Sequence, residues 1–271
     1  MAITHAAVKN PGDVGTAAEW NAAHVISDES KSKRSRTLIV AANDSLDKTK
    51  ADYVCDGTAD QVEIQTAIDD LGATGGTVLL LEGTYNMANW IEPDNYVTIE
   101  GQGFATVLNS HNLDAVIFPQ SKTMVVIKNL RITGTQSNAG DTVGVKFENC
   151  TSSKIVNVYF NAFHDYGFWI DRGSYNLILD STSINADMIG IFIINTNRNI
   201  VSNCITWADD YGVTIDLCAD RNIVSNCITS GGTKSILINN ANCDRNLIHG
   251  NIAESGITDS GTNTLVVDNQ S

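Results

Sequence analysis

The sequence predicts an all-β chain: a right-handed, single-stranded parallel β-helix of about 23 residues per coil, opened by a capping helix. Three observations predict it. Eight residues, Asn199-Ile-Val-Ser-Asn-Cys-Ile-Thr206, recur unchanged as Asn222-Ile-Val-Ser-Asn-Cys-Ile-Thr229, 23 positions later, and looser copies begin at Asn176 and Asn246. A second motif interleaves with the first: Gly144-Val-Lys-Phe, Gly167-Phe-Trp-Ile, Gly190-Ile-Phe-Ile and Gly212-Val-Thr-Ile, at spacings of 23, 23 and 22 residues, continued by Ser235-Ile-Leu-Ile without its glycine. Each period also holds short Ile- and Val-rich runs between Asn, Asp and Gly, the pattern of strands between turns. Repeats of this kind stack strand on strand about 4.8 Å apart, each touching only its neighbours. From residue 77 onward the length leaves room for about eight coils.

The elements follow in order. Residues 1–36 form a separate N-terminal arm and linker: small alanines and Pro11-Gly12-Asp13 first, then the charged, Ser-rich stretch from Asp28 to Arg36. Such an arm is expected to order on a partner. Residues 37–271 form the β-helix with its cap. Thr37-Leu-Ile-Val-Ala-Ala and Asp52-Tyr-Val-Cys read as strands. Asp60 reads as the cap of a helix whose apolar face holds Val62, Ile64, Gln65, Ile68 and Leu71, and Gly72 stops it. An open solenoid end exposes apolar core and unpaired edges, so this helix is the natural lid. Thr77-Val-Leu-Leu-Leu81 opens the coils, and Ile200 and Ile223 are expected in their core.

The totals narrow the function. A net charge of −14 disfavours nucleic acid and anionic membrane as partners and suits neutral glycans and cations. No apolar run is long enough to span a membrane, and Met1-Ala-Ile-Thr-His lacks the pattern of a signal peptide. The expected location is a virion or extracellular particle surface, reached from the cytoplasm without a signal peptide. The six cysteines show no zinc spacing, and no cofactor or metal motif is present. Cys204 and Cys227 fall in one slot of consecutive repeats and read as an interior column of small apolar thiols, with a disulfide left open.

In a stacked solenoid one slot of every repeat becomes a column. The slot just before the repeat glycine holds Asp141, His164-Asp165, Asp187 and Asp209-Asp210, and ends at Ser230-Gly231. Acids in neighbouring coils lie about 5 Å apart and those two coils apart about 10 Å. Carboxylates about 5 Å apart suit retaining glycoside hydrolysis and roughly 6.5–9.5 Å suits inversion, and like charges raise one pKa toward the protonated acid such chemistry needs. Asp165, Asp187, Asp209 and Asp210 are thus the candidate catalytic residues, with His164, Tyr166, Trp207 and Tyr211 as substrate-binding neighbours. Passive glycan or cation binding, and plain Asp turn chemistry, stay open beside catalysis. Asn199, Asn222 and Asn246 form a second column whose amides can hydrogen-bond along the solenoid. Arg198, Arg221 and Arg245 precede them at a solvated turn.

Asp56-Gly57-Thr-Ala-Asp60, Ile64-Gln65-x-Ala67-Ile68-Asp69, Gly75-Gly76-Thr77-Val78 and Gly83-Thr84-Tyr85 together resemble the opening of the pectate-lyase-like parallel β-helix proteins, a group that includes phage tailspikes, pectin lyases, polygalacturonases and mannuronan epimerases. The resemblance covers about residues 37–271 and is specific to the fold. No active-site motif of those enzymes can be placed here residue by residue. Met1-Ala-Ile-Thr-His and Ala18-Glu-Trp-Asn-Ala22 resemble the starts of phage tail-associated proteins. The resemblance implies a tailspike-like surface protein that recognises polysaccharide or a cell-surface glycan. It implies attachment to a phage tail or baseplate through residues 1–36, and a homotrimer. A polysaccharide-cleaving hydrolase or lyase and a purely structural solenoid are the alternatives.

Overall fold

The computed structural model describes residues 36–111, 113–135 and 142–271. The expected arm over residues 1–36 lies almost wholly outside the described residues, as does Asp141. The unit Thr37–Ser271 is a stack of parallel strands, about seven turns of ~23 residues.

Register resolves the stack into three ladders. The first runs from Thr37–Ala41 through Gly76–Leu80 and Val97–Gly101 to Leu177–Leu179, Ile200–Ser202, Ile223–Ser225, Leu247–His249 and Leu265–Val267. The second joins Gly83–Met87 and Thr106–His111 to Ile205–Ala208, Ile228–Gly231 and Ile252–Ala253. The third joins Ala115–Ile117 and Val143–Thr151 to Tyr211–Asp216, Lys234–Ile238 and Ile257–Asp259. The long strand Lys154–Ser174 turns two corners and serves all three ladders, and Thr182–Ile194 turns one and serves the second and third. Two early coils are longer than the repeat: Thr98 pairs with Val126 and Val126 with Lys154, against Lys154 with Leu177 later on. About seven turns form, against the eight that a uniform period leaves room for.

Two turns of each later coil carry a buried polar residue that replaces the missing strand partner. At the first, the N–H of Asn176 donates to Asn199 Oδ1, that of Asn199 to Asn222 Oδ1 and that of Asn222 to Asn246 Oδ1, all at 2.9 Å. The Asn199 and Asn222 side-chain amides donate along the same column at 2.9 and 3.2 Å. The expected asparagine column is therefore real, and Asn176 extends it. At the second turn the column is Ser181, Cys204, Cys227, Asn251 and Asn269. Cys227 N–H donates to Asn251 Oδ1, and Asn251 N–H to Asn269 Oδ1, each at 2.9 Å. Cys204 and Cys227 are free thiols in this column, not a disulfide. The residues just before both columns (Arg198, Arg221, Arg245, Asn203, Asn226) take positive φ, between 54° and 57°. The three arginines are exposed, as a solvated turn requires.

The repeat glycines share one column for a steric reason. A Cβ on Gly167 would sit 1.9 Å from Ser183 Oγ and 2.6 Å from Gly190 O. On Gly190 it would meet Gly212 O at 2.7 Å, and on Gly212 it would meet Ser235 O at 2.6 Å. The chain there turns from the second ladder into the third, and only hydrogen fits.

The structure corrects three expectations. Ile200 and Ile223 are partly exposed, and Val201 and Val224, fully buried, fill the core. Side chains alternate along a strand, and the buried turn residues Asn199 and Asn222 fix which of the pair points inward. In the cap helix α1, Gln61–Leu71, the buried residues are Ile64, Ala67, Ile68 and Leu71, while Val62 is exposed. Asp60 makes no side-chain bond to that helix. Its carboxylate instead accepts the N–H groups of Gly57 at 2.8 Å and Asn86 at 2.7 Å, tying the helix start to the first coil.

The corrected parity makes a direct prediction. Val201→Asp and Val224→Asp place an unpaired charge in the core, a cost of several kcal/mol, and abolish cooperative unfolding measured by circular dichroism. Ile200→Asp and Ile223→Asp keep a cooperative transition. Equal loss in both pairs would refute the assigned faces.

Candidate functional site

The acid column sits on the corner between the second and third ladders. Asp165 occupies the turn inside Lys154–Ser174, and Asp187 the same place in Thr182–Ile194. Asp209 and Asp210 lie between Ile205–Ala208 and Tyr211–Asp216. The pairs His164 with Ala186 and Ala186 with Ala208 align Asp165, Asp187 and Asp209 across three coils. Adjacent members are one strand spacing apart, about 4.8 Å along the axis, and the outer two about twice that. The backbone holds the corner: Asp209 N–H donates to Ala186 O at 2.9 Å, and Asp209 O accepts Gly232 N–H at 2.9 Å. A Cβ at position 232 would stand 2.2 Å from Asp209 O, so glycine is required where the column stops.

The charges feel this proximity. Asp187 has its carboxyl pushed above 3.8, first by burial, then by the negative charges of Asp209 and Asp165 on either side. Asp165 is anchored from the preceding coil. Its Oδ2 accepts the Thr142 N–H at 3.0 Å and hydroxyl at 3.4 Å, and its own N–H donates to Thr142 Oγ1 at 3.1 Å. Asp210 is one residue further along. Its carbonyl accepts the N–H groups of Thr233 and Lys234, at 2.9 and 3.2 Å, to start the next coil. The acid trio is therefore Asp165, Asp187 and Asp209, with Asp210 beside it.

The aromatic neighbours divide. Trp207 is 54% exposed on the outer face of the second ladder, two residues before the corner, and Tyr211 is partly exposed just after it. Tyr166, expected as part of an open sugar platform, is only 7% exposed. Its ring stacks on Phe192 with centroids 5.5 Å apart and planes at 11°. The reason is a second apolar cluster outside the coil, on the outer face of the third ladder, where Val143, Tyr166, Ile189 and Phe192 pack with Trp169, Phe118 and Tyr211. The side chain of His164 lies outside the described residues.

This outer cluster is the part that sequence reasoning missed. Trp169 contacts Tyr166 at 4.7 Å and Phe192 at 5.3 Å. Lys146 caps it, its ammonium 4.4 Å from the Trp169 ring centre and 5.0 Å from that of Phe118. Trp169 Nε1 is buried and makes no hydrogen bond among the described residues. A signal existed: Lys146, Trp169, Phe192 and Thr214 occupy the third place of the four glycine motifs, and register confirms that column. Away from this corner, a shallow groove of about 320 Å³ lies beside α1, lined by Gln61, Gln65, Asp69 and Trp90 among others, and none of the acid-column residues line it.

The arrangement is thus a ridge of three carboxylates with an exposed indole on one flank and an aromatic, lysine-capped sheet face on the other. Carboxylates accept hydrogen bonds from hydroxyls, and exposed rings offer flat apolar surfaces. Their joint presence on one edge suits a polyhydroxylated ligand.

Solved structures share the fold. The chain aligns with pectate lyase Pel9A at 14% identity and a TM-score of 0.59, over 80% of this chain and 62% of that one. It aligns with a C387A mutant of DFA-IIIase from Arthrobacter chlorophenolicus A6, in complex with DFA-III, at 14% identity and 0.55, over 79% and 67%. A third match is the catalytic domain of a GH87 alpha-1,3-glucanase in complex with nigerose, at 18% identity and 0.52, over 76% and 45%. This chain therefore spans less than two thirds of the pectate lyase and under half of the glucanase domain. No curated protein matches the sequence. The scaffold is that of the pectate-lyase-like parallel β-helix proteins. Within it, residues 90–270 match the family model described as periplasmic copper-binding protein (NosD), more than half of the chain, and the protein belongs to that family.

Proposed function

We propose that this protein recognises a polysaccharide on the corner formed by Asp165, Asp187, Asp209 and Asp210, with Trp207 and Tyr211 as the rings that stack on sugar. The observation that carries the proposal is the raised pKa of Asp187 between two further carboxylates, beside an indole left 54% exposed. Plain turn chemistry needs neither: a turn aspartate bonds to local backbone donors, and an unneeded exposed tryptophan gains nothing. The fold neighbours act in the same sense, being by name a pectate lyase and a glucanase. The attachment reading, in which residues 1–36 hold the solenoid to a larger particle such as a phage tail, is part of this proposal.

A second reading is cleavage at the same corner. Asp187, buried and crowded by like charge, is the member suited to hold a proton, and Asp165 and Asp209 flank it. The flanking acids stand on opposite sides of Asp187 by one coil each, the arrangement that acid and base roles need.

The family description names copper. Copper(I) takes thiolate ligands, and Cys204 and Cys227 stack in adjacent coils. Both thiols are 1% exposed and already engaged: Cys204 Sγ lies 3.3 Å from Ser202 O, and Cys227 Sγ 3.2 Å from Ser225 O. Two thiolates and one copper(I) carry a net negative charge. Next to the fully buried Val201 and Val224 that charge has no compensation. No further His, Cys, Asp or Glu ligand atom joins the pair among the described residues. The donor set does not fit copper, and nothing in the proposed function runs through it.

Three measurements test the proposal. On a glycan array, Trp207→Ala and Tyr211→Ala should each weaken binding about tenfold or more, the loss of a stacked ring, with the melting temperature unchanged. Unchanged affinity in both would remove this corner as the binding site. If the corner also cleaves, Asp165→Asn and Asp209→Asn abolish product formation and leave binding intact, whereas full activity in both removes the enzymatic reading. The third is pH. A carboxyl whose folded pKa is raised is favoured protonated, so its contribution falls as pH rises from 3.8 through the folded value. Asp187→Asn should therefore raise the melting temperature at pH 7, and the gain should vanish below about pH 3.8. A gain that persists at pH 3 would mean that charge crowding is not its cause.

A further inference from the structure

A second constellation lies at the N-terminal end of the solenoid, beside the cap helix. Cys55 ends the strand Tyr53–Val54, Asp60 precedes α1 and Glu63 stands in the first turn of that helix. The Cys55 thiol and one carboxylate oxygen each from Asp60 and Glu63 all lie within 4.8 Å of one another. Cys55 is 2% exposed, Asp60 fully buried and Glu63 partly buried.

The charges here are unbalanced. The charged groups that act on the Cys55 thiol are Asp60, Glu63 and Asp56, all acids, and together with burial they hold it well above its usual range. Neither Asp60 nor Glu63 makes an ion pair with a lysine or arginine among the described residues. Asp60 has one lone pair of each oxygen committed, to the N–H groups of Gly57 and Asn86, which orients the carboxylate and leaves its other lone pairs free. Glu63 Oε2 is buried and without a hydrogen-bond partner among the described residues. A buried carboxylate oxygen without a partner, on a side chain clustered with a thiol and a second carboxylate, is costly alone, and a cation relieves it.

We propose that Cys55, Asp60 and Glu63 form a binding site for a divalent cation of the zinc class. The donor set selects the ion. A thiolate disfavours calcium and magnesium, which take oxygen ligands, and two carboxylates disfavour copper(I), which prefers sulfur. One sulfur and two oxygens from protein, with a fourth position for water, is a zinc arrangement. Binding exchanges the Cys55 S–H for an S–metal bond and releases that proton to solvent, so two carboxylates with charge −2 become a complex of net charge −1. The site pins the first turn of α1 to the strand end at Cys55, and so clamps the lid onto the first coil. It lies outside residues 90–270 and is independent of the glycan-binding corner.

The test uses the full chain freed of metal with a chelator, and cobalt(II) as the probe. One cobalt(II) per chain should bind with a near-ultraviolet sulfur-to-cobalt charge-transfer band, zinc should displace it, and one proton should be released per ion at neutral pH. Zinc should also raise the melting temperature. Cys55→Ser should remove the band. Glu63→Gln, a near-isosteric change at a partly exposed position, should weaken binding by at least about tenfold, the loss seen even for residues one layer outside a metal's ligands. Cys218→Ser, which alters the exposed cysteine, should leave the band unchanged. The proposal is overturned if no band forms at one equivalent, if the band survives Cys55→Ser, or if Glu63→Gln binds with the wild-type midpoint. Should Cys55→Ser fail to fold, the Glu63→Gln titration decides alone.

Discussion

Everything in this molecule depends on how two turns per coil satisfy backbone N–H groups that no strand can reach. A parallel ladder serves its own strands and stops at the corner, and a buried N–H left unpaired costs about 1–3 kcal/mol. Here a side chain from the next coil supplies the acceptor. The chain of bonds from Asn176 to Asn246 passes the obligation from coil to coil. Because each acceptor must sit directly beneath its donor, the period is fixed at 23 or 24 residues along this column, and with it the register of all three ladders.

The second turn solves the same problem with different atoms. Cys204 and Cys227 hold the positions that asparagine takes at Asn251 and Asn269, their sulfurs lying against carbonyl oxygens as the amide groups do further along. Sulfur is the weaker partner, but it is also small and apolar, and both thiols join the main core beside Val201 and Val224. Positive φ at Asn203 and Asn226 turns the following side chain inward in each case. The left-handed residue and the buried residue after it form one device, used at both turns.

Much of this is legible in the sequence because repetition is legible. The identical octads at Asn199 and Asn222 give the period, and the glycines at 144, 167, 190 and 212 mark a real column. What was misread is parity. Ile200 and Val201 are both apolar and β-branched, so composition cannot say which one faces in; the burial of Asn199 decides it, and that is a tertiary fact. The acid column is visible as a slot before each glycine, but the register shifts between Asn161 and Tyr166 and between Ile184 and Ala186 determine which acids align. Those shifts leave Asp210 outside the trio. Tyr166 sits next to Asp165 in the sequence, a position that suggests an open ring. It is covered because Trp169 and Phe192, from the same coil and the next, close over it, and a linear pattern does not show which rings meet outside a coil.

The glycine at the corner has a consequence for how such a site can change. Asp165, Asp187 and Asp209 are held by backbone that cannot drift, since any side chain at 167, 190 or 212 would collide with the neighbouring coil. The distance between acids is therefore not continuously adjustable. It comes in whole steps of one strand spacing, set by which coils bear an aspartate and which bear something else. Duplicating or losing one coil would re-gauge the site by a single step while leaving every packing contact of the remaining coils unaltered. On this scaffold, the spacing of the carboxylates is chosen digitally, by counting coils, and only the flanking rings are left to vary by degrees.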